Sequence, residues 1–421
     1  MSRHIDGISH ISREHEIYQT NTEQNKVILT RNHDILYAFL LENGRICKVV
    51  REEKQAYPIG TILIGKVVNI LKETEGAFIR LDGKDTMAYL PVNGQELSHI
   101  RIVNRKPDGR ILQNDDVIIQ IKKEPQKTKP YLVSGVLEIS GEYLALHDGS
   151  GQVHVSKKIE QSHKKEYLEY ASQWKEATIT EPNMEKEPVD MVFRTNAMFA
   201  DRDDIHQEYI DLISQFKNVD LFGRTRTVYS ILYRTDLFYI EMIRNLDHSK
   251  EYEIITDCKD VLEHLEHHNI HSRLYQDEQI SLSQIYSLKT RLQELSGKKV
   301  YMKSGAYLVI EPTEALISID VNSGKAQKNV DHETYSLQIN IEAAKEAAYQ
   351  MKVRNLSGMI LIDFINMNLA ESKKELINVL CSEISNDKVT TKFIDFTKLG
   401  LAELTRKRME KSLAYVLRDW E

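Results

Sequence analysis

VYMKSGAYLVIEPTEALISIDVNSG, residues 300–324, reads as consecutive short strands. HETYSLQINIEAAKEAAYQMKVRN (332–355) reads as a long helix, MILIDFINM (359–367) as an apolar strand, and SKKELINVLCSEIS (372–385) as a further helix. Strand, helix, strand, helix is the grammar of an α/β domain. Two carboxylates end its apolar strands: Asp320 after ALISI and Asp363 after MILI.

An acid at the end of a buried strand is desolvated unless it has a partner. In an open α/β sheet, the carboxyl ends of strands are where ligands bind. Two aspartates brought together there repel, and a hard divalent cation with oxygen ligands resolves the repulsion. Asn322, two residues beyond Asp320, points to the same side of an extended segment and can add an amide contact. The bland alternative makes each aspartate a helix or turn cap. It accounts well for one aspartate and poorly for the pair with Asn322.

Working outward, KVILTRNHDILYAFLLENGRICKVV (26–50) predicts a β-hairpin turning at Asn43-Gly44. GTILIGKVVNIL, EGAFIRLD and TMAYLPV, between 60 and 92, read as three short strands, and DVIIQIKKE (116–124) as a fourth after a long loop. Together they suggest a five-stranded OB barrel. YLVSGVLEISGEYLALHD and GQVHVSKK continue as β structure. Helices are expected over 160–182, 200–218 and 277–296, with VDMVFRTN a strand between the first two.

Composition narrows the classes. With 421 residues, 41% hydrophobic and 28% charged, the chain is globular and long enough for about three domains. It has no apolar run near the length of a membrane span, and its polar start is unlike a secretory signal. Cys47, Cys258 and Cys381 form no C-x-x-C pair. That excludes a disulfide framework and a thiolate zinc site from this chain alone, and a cytoplasmic location is expected. The net charge of −7 rules out a general basic coat, so any polyanion must be held locally or with divalent metal.

LVIEPTEALISIDVNSG (308–324), NIEAAKEAAYQMKVRNLSGMILIDFINM (340–367) and KLGLAELTRKR (398–408) resemble, in order and spacing, the signature blocks of the ribonuclease E/G family of bacterial endoribonucleases. The resemblance implies Mg²⁺ held by Asp320 and Asp363, with Asn322 orienting the attacking water. It also implies hydrolysis of single-stranded RNA to 5′-phosphate and 3′-hydroxyl ends. Residues 59–135 resemble the family's S1 domain, with Phe78 and Tyr89 at its two stacking aromatics and Lys123 and Lys129 at basic positions. GVLEISGEYLAL and MVFRTN resemble its 5′-sensor. That places 5′-monophosphate contacts on Arg194 and Thr195, with Gly141 and Ala145 lining the pocket.

The expected architecture is α+β and α/β, in several domains. Residues 1–24 form an extension, and 25–57 with 227–295 a split RNase H-like scaffold. The S1 domain takes 58–135, the 5′-sensor region 136–226, and a DNase I-like catalytic domain 296–421. The histidines His264, His267, His268 and His271 lie in the scaffold part, where the family has no metal, and read as a polar surface helix. Three departures stand out. The zinc-linking C-x-x-C pair that commonly follows the last basic block is missing, Asn366 replaces an aspartate, and the loop GKAQKNVDH is more polar and basic. Zinc is therefore not expected, and a homodimer should be weaker than in zinc-linked relatives. The rival class is a non-catalytic S1-type RNA-binding protein, which has no use for Asp320, Asn322 and Asp363 together.

Overall fold

The computed structural model describes residues 24–53, 56–71, 75–93, 97–106, 108–125, 129–179, 189–324 and 331–420. The extension 1–24, apart from its last residue, and most of the loop GKAQKNVDH lie outside the described residues. Two compact units result. One comprises the residues up to Glu52 and from Glu251 onward, the other Glu53–Lys250.

In the first unit the expected hairpin is a three-strand meander, Asn25–Asn32, Ile35–Glu42 and Arg45–Arg51. Asn43 and Gly44, with φ +49° and +71°, make the second turn, the backbone that a tight hairpin of right-twisted strands requires. Tyr252–Thr256 and Arg273–Leu274 extend this sheet in parallel beside Asn25–Asn32. The helix expected over 277–296 is two, Leu282–Ile285 and Leu288–Ser296. Ser287 between them has φ +49°, a left-handed residue that an α-helix cannot contain without breaking.

The α/β stretch forms a six-stranded sheet. Its order is Lys299–Tyr301, Tyr307–Pro312, Leu316–Asn322, Gly358–Asp363, Ala402–Arg406, Thr391–Phe396. Only Leu316–Asn322 and Gly358–Asp363 run parallel, because the helix His332–Val353 returns the chain between them. Ile317, Ile319, Ile360 and Ile362 on one face pack against Ala343, Ala344 and Ala347 of that helix and Leu376 and Leu380 of Ala370–Ser385. Each buried Ile or Leu contributes about 1.5–3 kcal/mol, and the three alanines let the helix lie close to the sheet. By the two-residue strand period, Asp320 and Asp363 fall on the opposite face.

In the second unit the strand order is Ile62–Leu71, Gly76–Arg80, Met87–Pro91, Tyr131–Ser134, Asp116–Lys123, and the last pairs back onto the first. The five strands close an OB-like barrel, as the strand spacing predicted. Ala77, Ile79, Ala88, Leu90, Ile119 and Val133 alternate into its core. Beside it lies a four-stranded sheet of Glu138–Ser140, Leu144–Asp148, Val189–Phe193 and Val153–Val155. The unit's long helices are Gln161–Ile179 and Arg202–Thr225, the second running a further seven residues beyond the expected 218, and Phe238–Arg244 is a short third. No helix among the described residues is long and apolar enough to cross a membrane.

Candidate functional site

Asp320 and Asp363 are register partners at the ends of the parallel pair. Adjacent strands lie about 4.8 Å apart, so the two carboxylates leave the sheet side by side. Neither is desolvated, contrary to the sequence reading: both side chains are exposed, because the strands bury the other face. The capping alternative fails as well. The helix after Asp320 is capped by Asp331, whose carboxylate accepts from the Thr334 N–H, and the helix after Asp363, Ala370–Ser385, has Leu369 at its N-cap position. Asn322 Nδ2 donates to Asp320 Oδ2 at 2.7 Å, which fixes the direction of that carboxylate.

The helix His332–Val353 ties down the chain beyond both aspartates. Tyr335 donates its hydroxyl to the Ser323 carbonyl at 3.1 Å. Fully buried Asn340 donates to the Ile365 carbonyl at 2.7 Å and accepts the Ile365 N–H at 2.9 Å. The Glu333 carboxylate accepts the N–H groups of Asn368 and Leu369 at 2.8 and 3.0 Å, and those bonds hold its pKa below the ordinary value. The sequence reading missed Asn340. Its signal was a polar residue on the same helix stripe as Ala343, Ala344 and Ala347. Asn340→Ala leaves both Ile365 groups unpaired and should destabilise the protein by about 1–3 kcal/mol. A lowered urea midpoint checks this, and an unchanged midpoint would show the clamp to be dispensable.

The donor set suits a hard cation. Mg²⁺ is commonly bound through one or two carboxylates, keeping several waters and taking substrate phosphate oxygens. His264 and His267 project from the helix Lys259–His267 into solvent, while Val261 and Leu265 bury its other side. His271 is exposed as well.

On the barrel, Phe78 pairs with Tyr89, Tyr89 with Leu132, and Leu132 with Lys123. The four side chains form one row across four strands, pointing away from the core that Ala77, Ile79, Ala88 and Leu90 fill. Phe78 is therefore not a core residue. Its ring centroid lies 6.0 Å from that of Tyr89, nearly edge to face. A Cβ on Gly76 would stand 2.4 Å from the Tyr89 ring, so only glycine lets that ring lie flat across its own strand pair. Lys123 and Lys129 are exposed at the end of one strand and shortly before the next.

Arg194 and Thr195 follow the strand Val189–Phe193. The Arg194 guanidinium donates to the Gly141 carbonyl and to Asn245 Oδ1. Burial lowers its pKa from the ordinary value against the opposing pull of Glu208, Glu142 and Glu138. Thr195 Oγ1 lies 2.9 Å from Ser156 Oγ. Ala145 is buried. Gly141 does not face open space: a Cβ there would collide with the Glu208 carboxyl group. That carboxylate accepts three consecutive backbone N–H groups, of Glu142, Tyr143 and Leu144, the last two at 2.8 Å. Burial raises the Glu208 pKa, and the three bonds oppose the rise. The sequence reading placed a phosphate at this loop without seeing that a carboxylate of the chain itself sits on its amides.

A family model described as the Ribonuclease E/G family matches residues 138–409, well over half of the chain. The chain belongs to the ribonuclease E/G family. The matched span holds Asp320, Asn322, Asp363, Arg194, Thr195 and Glu208. Ribonuclease E of Synechocystis sp. is 27% identical over 402 residues, 92% of this chain but 57% of its own length. Ribonuclease G of Haemophilus influenzae is 28% identical over 409 residues, covering 90% of this chain and 79% of its own length. A ribonuclease E/G-like protein of Pyropia yezoensis is 26% identical over 401 residues, with 92% and 76% covered. This family member thus spans little more than half the length of the first relative and about three quarters of the other two.

Proposed function

We propose that this ribonuclease E/G family chain is a Mg²⁺-dependent endoribonuclease that hydrolyses single-stranded RNA and leaves 5′-phosphate and 3′-hydroxyl ends. The observation that carries the reading is the register pairing of Asp320 with Asp363, with Asn322 bonded to the first. The two carboxylates hold the ion, which when bound lowers the pKa of a water and offsets charge on the phosphoryl group. Asn322 keeps Asp320 oriented, and its remaining carbonyl oxygen is an acceptor for the attacking water. Phe78 and Tyr89 stack unpaired bases, and Lys123 and Lys129 meet the backbone. A duplex, whose base faces are already stacked, gives those rings nothing to cover. A protein that only binds RNA has no need of the carboxylate pair.

The domain reading carried with this function keeps 58–135 as an S1 domain, 136–226 as a 5′-sensor region and 296–421 as a DNase I-like catalytic domain. An RNase H-like scaffold is assigned to 25–57 and 227–295. Assembly as a homodimer, in the cytoplasm, belongs to the same reading.

It extends to 5′-end sensing by Arg194 and Thr195. Two of the five guanidinium N–H groups of Arg194 are spent on Gly141 and Asn245, which leaves three to reach a phosphate. A 5′-monophosphate RNA should be cut faster than its 5′-hydroxyl or 5′-triphosphate counterpart, and Arg194→Ala should erase the difference at a cost of about 1.5–3 kcal/mol. Equal rates on all three ends with the wild-type protein would show that no sensing occurs.

A further inference from the structure

The exposed face of the six-stranded sheet carries more than its carboxylates. In one row across it, Lys299 pairs with Val309, Val309 with Asp320 and Asp320 with Asp363. In the next row Tyr301 pairs with Tyr307, and Tyr307 with Asn322. Register partners share a face, and residues two apart on a strand do too. Lys299, Tyr301, Tyr307, Asn322, Asp320 and Asp363 therefore all project to one side. Leu308 and Val321, the residues between, enter the core on the other.

Stability gives little reason for this arrangement. Tyr301 is 71% exposed, so its ring gains little from burial. It lies 5.7 Å from the half-buried Tyr307 ring, inclined by 50°, and Lys299 Nζ stands 4.9 Å over the Tyr307 ring. Tyr307 is directly opposite Asn322 and diagonal to Asp320, a separation of roughly 7–8 Å that aromatic side chains span. Two rings and an ammonium group beside a phosphate-processing pair match the composition of a single-strand nucleic-acid subsite, in which rings cover bases and a cation meets the backbone.

We propose that Tyr301 and Tyr307, with Lys299, form a base-stacking subsite that seats a nucleotide next to the scissile phosphate. The subsite rests on the reading of Asp320 and Asp363 as the centre of RNA cleavage. It is separate from the Phe78–Tyr89 row of the barrel and adds a contact made by the catalytic sheet itself. Its consequence is that short oligonucleotides gain affinity from this sheet through a base adjoining the cut.

The test uses the full chain and a short single-stranded oligoribonucleotide with one cleavage site and 5-iodouridine adjoining it. Irradiation with the Asp320→Asn protein should cross-link the base to the peptide carrying Tyr301 and Tyr307. Tyr301→Ala should raise KM for the oligonucleotide about fivefold or more, the lower end for one stacked base, with a smaller change in kcat. Tyr301→Phe should restore the wild-type KM, since it keeps the ring. Tyr301 is exposed, so its truncation leaves the fold intact even if Tyr307→Ala does not. If the wild-type protein cuts the oligonucleotide while Tyr301→Ala keeps its KM and no cross-link reaches 299–307, the subsite is wrong and the cleavage reading stands. If the wild-type protein does not cut RNA, the subsite falls together with the function it rests on.

Discussion

Asp320→Asn and Asp363→Asn should each lower cleavage of single-stranded RNA by about 10³-fold while leaving RNA binding nearly unchanged. The electrostatic support a bound ion gives to phosphoryl transfer amounts to several kcal/mol, and about 1.4 kcal/mol is a factor of ten in rate. Either substitution keeps the shape of the side chain and removes one of two charges opposed across the parallel strands. Both residues are exposed, so the fold should tolerate the change within about 0.5 kcal/mol. Single-turnover cleavage beside a binding titration separates the two effects. Rates within a few-fold of wild type in either variant would remove the metal assignment.

The second large effect belongs to the barrel. Phe78→Ala combined with Tyr89→Ala removes both rings of the outward row. Each stacked base is worth about 1–3 kcal/mol, so the double variant should bind single-stranded RNA at least about 30-fold more weakly. The barrel core lies on the other side of these strands and is left whole. Fluorescence anisotropy with a labelled oligonucleotide reads the loss. Unchanged affinity in a folded double variant would move RNA binding away from this face.

Much of this was legible in the residues. The short strand-like runs marked the barrel strands and the six-stranded sheet, and the apolar run before Asp363 marked a strand end, whereas the strand through Asp320 runs on to Asn322. Periodicity does not say which face of a sheet is covered, and for that reason the aspartates were read as buried when they are exposed. The break at Ser287 was hidden because Leu282, Leu288, Leu292 and Leu295 are buried on both sides of it, so the apolar stripe runs on through a backbone that does not. Long-range side-chain contacts were hidden. Nothing near Gly141 announces Glu208, 67 positions later, as the group on the amides of 142–144. Asn340 likewise meets Ile365 only because a helix and a strand end come together.

The central claim is that the Asp320–Asp363 pair supports metal-dependent hydrolysis of single-stranded RNA. The most direct measurement is incubation of an end-labelled single-stranded RNA with the wild-type protein, with Mg²⁺ and with chelator, followed by analysis of the new termini. The account predicts cleavage only with Mg²⁺, giving 5′-phosphate and 3′-hydroxyl ends. Intact RNA under both conditions, or cleavage that survives the chelator and leaves 2′,3′-cyclic phosphate ends, would contradict it.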